Sequence, residues 1–303
     1  MSINRLRRLT QSVVQSALVL LAYGASPACI AADSVDPKYK NLVAVAVAVC
    51  QPSPAIEYAD FDETVQGLTR LYVAERFDEL DAALSCLMHP ASRFKSGKMG
   101  ASAVYWMFRL QLPGSGVNPA EAQRIKQWRE KAPDSIFAEF AEIRLMYAMA
   151  WSARGSRPAR DVPDSGFKLF NDGLLAAERA LMSARPTLRA TAIWQNMLLA
   201  VVLDSRQSKQ NAGQIFTDGV RQWPGYYDFY ELVLTRLVPS WGGSWDTVDQ
   251  FITSWADRLR ATEGDSVYAR FYSSVVLDGY SPYATKINWG DVPNSVAGLS
   301  RWS

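Results

Sequence analysis

Apolar residues that return every three to four positions constrain this chain more than any other feature of its sequence. Ile136, Phe140, Ile143, Tyr147 and Ala150 follow one another at steps of four, three, four and three, and Ala190, Trp194, Met197, Leu198 and Val201 keep the same period. An α-helix turns once in about 3.6 residues, so each set predicts a single apolar stripe along a helix. The pattern is helical from Tyr58 onward. The alternating run Leu42 to Val49, flanked by Pro37, Pro52 and Pro54, fits a strand or a buried helix equally by period. Helix is preferred there, because the rest of the chain offers no partner strands.

Proline and glycine punctuate the helices at related positions: Ala132-Pro133, Arg185-Pro186, Trp223-Pro224 and Glu263-Gly264, at intervals of 53, 38 and 40 residues. The longest interval contains the loop Arg154 to Asp164; without it the three spacings come close together. Proline at the first helical position is pre-set for a new helix, and a period near 40 accommodates one helix-turn-helix unit.

At this level the chain resembles the tetratricopeptide group. Ala212, Phe216, Gly219 and Pro224 reproduce the second-helix spacing of that motif, and Phe251, Trp255 and Glu263 reproduce part of it. First-helix positions match poorly, and the intervals exceed the motif's length of about 34 residues, which argues against regular superhelical stacking. Over roughly residues 120 to 280 the chain is also similar to a bacterial family catalogued as domain of unknown function 4034. The blocks that carry this likeness are Ala150-Trp151 with Arg154-Gly155, Tyr230 with Pro239-Ser240-Trp241-Gly242-Gly243-Ser244, and Tyr268-Ala269-Arg270-Phe271-Tyr272. It implies helical hairpins and adds no activity.

The N-terminal segment carries Arg5, Arg7 and Arg8, an apolar stretch from Val13 to Ala22, and small residues ending at Cys29-Ile30-Ala31-Ala32. This is a secretory signal pattern with cleavage expected near Ala32. The apolar stretch is shorter than the roughly 20 residues a membrane span needs. A lipid anchor on Cys29 is disfavoured, because Ser26 stands where such a signal wants an aliphatic residue. Removing residues 1–32 takes away three arginines and no acid, leaving bases one short of the 30 acids. A basic field for nucleic acid or anionic lipid is therefore absent, and no stable membrane insertion is expected after cleavage. An apolar share of 49% with 12% aromatics argues against disorder. Cys50 and Cys86 would remain, and an oxidising compartment would let them pair; two separate buried thiols are the alternative.

The most distinctive patch is Val238-Pro239-Ser240-Trp241-Gly242-Gly243-Ser244-Trp245. Its proline and glycines end one helix, and Ser244 can cap the next, with Asp246 favourably placed in its first turn. Trp241 and Trp245 with Tyr226, Tyr227 and Tyr230 could form an aromatic surface for sugar rings or an extended peptide, but packing between hairpins is the preferred reading. Asp228 and Glu231 stand three apart on one helix face and could serve glycoside chemistry, although ordinary solvated helix charges explain them more simply. His89, before Pro90, fits a helix-end cap better than a catalytic base, and a thiolate pair with Cys86 competes with the proposed disulfide. No GxSxG, P-loop, CxxC or zinc-ligand spacing occurs, so no catalytic residue, metal ligand or cofactor is assigned.

These features predict an all-α chain of stacked antiparallel helical hairpins, a tetratricopeptide-like, irregular α-solenoid. Residues 1–32 are expected to be the signal peptide, 33–56 an irregular segment, 57–280 the repeat domain and 281–303 a tail. Three roles are compatible with such a chain. The first is an exported scaffold, periplasmic or secreted, that binds a protein or peptide partner. The second is a polysaccharide-binding or polysaccharide-cleaving envelope protein that uses the Trp241 region. The third is a structural or immunity-type partner that works only in complex.

Overall fold

A computed structural model describes residues 57–58, 61–94, 96–264 and 266–277. The expected signal peptide, residues 1–32, the segment 33–56 with Cys50 and the Leu42 to Val49 run, and the expected tail 281–303 lie outside them. Among the described residues the chain forms twelve helices in sequence: α1 (Phe61–Val73), α2 (Phe77–Leu87), α3 (Gly100–Gln111), α4 (Pro119–Lys131), α5 (Ile136–Arg154) and α6 (Asp164–Ser183), then α7 (Pro186–Arg189), α8 (Ala192–Asp204), α9 (Ala212–Gln222), α10 (Asp228–Leu237), α11 (Trp245–Glu263) and α12 (Ser266–Leu277). A parallel pair of two-residue strands, Glu57–Tyr58 with Arg93–Phe94, forms the small sheet among them, and Arg93 also makes an antiparallel bridge to Met99. The architecture is all-α, built from stacked hairpins.

Side-chain caps fix several helix starts. Ser135 accepts the Ala138 N–H at 3.1 Å to open α5, and Ser244 accepts the Thr247 N–H at 3.1 Å to open α11. Each satisfies a backbone donor that would otherwise lack a partner in the first turn. Of the punctuating prolines, Pro186 alone stands in the first turn of a helix; Pro133 and Pro224 lie in the turns before α5 and α10. The start of α5 is set two residues after Pro133 because Ser135 supplies the cap.

Two helices depart from the single-stripe expectation. Ala190 is exposed and lies outside α8, whose residues Ala192 to Trp194 and Asn196 to Val202 are all buried. The helix runs through the middle of the molecule, packed against α3, α6, α9 and α10, so no side faces water. In α5, Arg144 is buried beside the apolar residues. The most extensive pairing is α5 with α6, where Gly173 sits so close to Ala150 that an added Cβ would lie 2.7 Å from the Ala150 Cβ. On the other side of the core, Trp128 lies parallel to Phe77 at 5.3 Å between ring centres and near-parallel to Phe108 at 6.2 Å.

An open solenoid touches only its neighbours along the chain. Here the stack curls until its ends meet. Ser102 at the start of α3 donates to Asp228 of α10 at 2.5 Å, across 126 residues, and Arg270 of α12 donates to the Ser96 carbonyl at 2.8 Å, across 174. Cys86 is buried in α2 and disulfide-bonded, which removes the thiolate partner from His89. That histidine is exposed, and its Nδ1 accepts the Ala91 N–H at 3.2 Å in the turn after α2.

Candidate functional site

Closure of the stack brings the inner faces of α3, α5, α8, α10 and α12 around a cavity of about 530 Å³, a volume within the ordinary range of small-molecule sites. Its foundation is Asp204, the last residue of α8. The carboxylate accepts from the Tyr147 hydroxyl at 2.6 Å, from the Trp151 indole at 3.1 Å, and from Arg236 through Nε at 2.8 Å and Nη2 at 3.1 Å. One acid thus ties α5, α8 and α10 together. Burial works against the Arg236 charge, but Asp204, with Tyr147 and Tyr105 behind it, outweighs burial and holds the guanidinium above its ordinary pKa. Arg236 in turn lies 4.8 Å from the ring centre of Trp241, which meets Trp151 edge-on at 5.8 Å.

Arg144 reaches the cavity wall one helical turn before Tyr147. It is 5% exposed, and its Nε and Nη1 have no hydrogen-bond partner among the described residues. Its guanidinium sits 5.0 Å from the Tyr147 ring centre. Burial pushes its pKa below the usual guanidinium value, Tyr105 and Tyr147 oppose this, and Arg109 adds to it; no carboxylate among the described residues is within hydrogen-bond or ion-pair distance of it. Asn196 of α8, 1% exposed, also lines the cavity with its Oδ1 unpartnered. Buried polar atoms in native proteins nearly always find a partner, so two orphans in one wall mark it as unusual.

The structure divides the residues singled out from sequence. Trp241, Asp228 and Glu231 line the cavity, while Tyr226 and Tyr230 are fully buried in the core and Trp245 is half-buried against it. The tyrosines pack within the core, and Trp241, 45% exposed, stands at the cavity. Tyr230 packs against Trp255 at 5.2 Å and Phe271 at 5.1 Å, and Tyr227 donates to Glu263 at 2.6 Å. Asp228 is not an ordinary solvated helix charge. Only 7% exposed, it accepts the Ser102 hydroxyl, and burial raises its pKa against the opposing pull of Ser102, Lys98 and Arg109.

Arg144, Asn196, Asp204, Arg236 and Trp106 were not anticipated. For two of them a signal existed: Arg144 lies between Ile143 and Tyr147 in an apolar stripe, and Asn196 sits inside the apolar run from Ala192 to Val202. A charge or amide in such a setting is either paired or functional. Among the described residues no cluster of three or more His, Cys, Asp or Glu could hold a metal ion, and no helix is long and apolar enough to cross a membrane. Comparisons with protein-family models, with curated proteins and with solved structures gave no match.

Proposed function

We propose that this chain is an exported binding protein that takes a small polar molecule, or the terminal unit of a glycan, into the cavity beside Trp241. The observation that carries the reading is the half-open cavity itself, walled by charged and aromatic side chains from helices far apart in sequence. Trp106 and Trp241 offer indole faces on which an apolar ring face can stack, while Asp228, Glu231 and Asn196 offer acceptors for hydroxyl or amine hydrogens. Export rests on the signal pattern of residues 1–32.

A scaffold that binds a protein or peptide has a separate observation in its favour. Met146 and Met149 on α5 and Leu169 and Met182 on α6 are exposed, concentrating apolar side chains on the α5–α6 hairpin. Calorimetric titration with sugars, amino acids and organic acids separates the two. A ligand of the cavity should lose about tenfold in affinity, ~1.4 kcal/mol, on Trp241→Ala. A partner protein retained by Trp241→Ala but lost on Leu169→Asp moves the assignment to the hairpin surface.

A further inference from the structure

We propose that the ligand of this cavity bears an oxyanion, a carboxylate or phosphate, and that the group seats on the guanidinium of Arg144. This rests on the ligand-binding reading above and adds the chemical class of the ligand.

Charge in the wall is the first argument. Lys98, Arg109, Arg144 and Arg236 line the cavity with Asp228 and Glu231 as the acids among them. Asp204 neutralises Arg236 through two hydrogen bonds, and Asp228 draws on both Lys98 and Arg109. Among the described residues Arg144 is left without an acid: the groups that act on its charge are two tyrosines and another arginine. The second argument is exposure. A surface arginine can leave its donors to water, whereas Arg144 is 5% exposed with Nε and Nη1 unpartnered. A buried uncompensated cation is strongly unfavourable, and an anion entering the cavity removes that penalty at the moment of binding. Guanidinium donors match carboxylate and phosphate oxygens in geometry as well as charge. The third argument is what surrounds it. The unpartnered Asn196 Oδ1 accepts from a hydroxyl or N–H on the same ligand, and Trp241 covers a ring or chain next to the charged group. The ligand is thus anionic at one point and hydroxylated or aminated elsewhere.

The test uses matched probes on the purified chain: glucose, glucuronate and glucose 6-phosphate, together with acetate and inorganic phosphate alone, titrated calorimetrically at constant ionic strength. The expected result is at least a tenfold preference for an anionic probe over glucose, falling to about twofold in Arg144→Gln. The carboxylate and phosphate arms report which oxyanion is preferred. The unliganded stability of Arg144→Met is measured in parallel. Removing a cation that serves the ligand leaves the melting temperature equal or higher, whereas loss of a structural cation lowers it by several degrees. Equal binding of glucose and its anionic counterparts, or an anion affinity untouched by Arg144→Gln, overturns the oxyanion assignment and leaves the cavity reading standing. Failure of every probe to bind, combined with a lowered melting temperature in Arg144→Met, removes both.

Discussion

Asp204 and Arg144 show how differently one helix bundle treats its buried charges. Asp204, with a side chain 2% exposed, meets Arg236, Tyr147 and Trp151. Arg144 meets no acid among the described residues. Breaking a buried pair by deleting one partner strands the other, which typically costs about 3 to 5 kcal/mol. Asp204→Ala should therefore lower the unfolding free energy by roughly that amount, measured by urea titration, because it orphans Arg236 and two further donors. Arg144→Met should cost nothing comparable, since no partner is stranded. A loss below about 1 kcal/mol for Asp204→Ala would mean that the carboxylate is not the anchor of the cavity floor.

At the scale of elements, much of the fold was legible. The 3.6-residue period located α5, Ser244 marked the start of α11, and the loop from Arg154 to Asp164 separated α5 from α6. Periodicity reads one face of one helix, so it could not tell that α8 has neighbours on all sides. The site was less legible. Trp241, Asp228 and Glu231 stood out locally, but Arg109, Arg144 and Asn196, which share their cavity, come from α3, α5 and α8 and are brought there by tertiary packing alone. Cap residues can also do long-range work that a local reading misses. Ser135 accepts the Ala138 N–H and donates to Asp81 of α2 at 2.7 Å, so it couples the α5 start to an earlier helix. Ser135→Ala should destabilise by about 2 kcal/mol, against ~1 kcal/mol for a cap alone. The excess should vanish when Asp81→Asn accompanies Ser135→Ala in a double-mutant cycle, and additivity of the two changes would show no coupling.

At the scale of the molecule, closure distinguishes this stack from an open array. In a linear solenoid a defect at one end is felt by the adjacent unit and fades beyond it. Here α12 contributes Ser274 and Val275 to the cavity and Arg270 to the Ser96 carbonyl. Ending the chain after Gly264 should therefore raise hydrogen exchange at the amides of α3, more than 150 residues away along the chain, as well as in α11. Exchange that increases in α11 alone would indicate an open stack. The same closure imposes an order in time on a chain made from its N-terminus. At about 5 to 20 residues per second, the Ser96 carbonyl, just ahead of α3, waits roughly 10 to 30 s for Arg270 to emerge. Arg144 is made within that interval and faces a half-built wall until α12 arrives, and a ligand or a holding chaperone then has access to surfaces that the finished protein conceals.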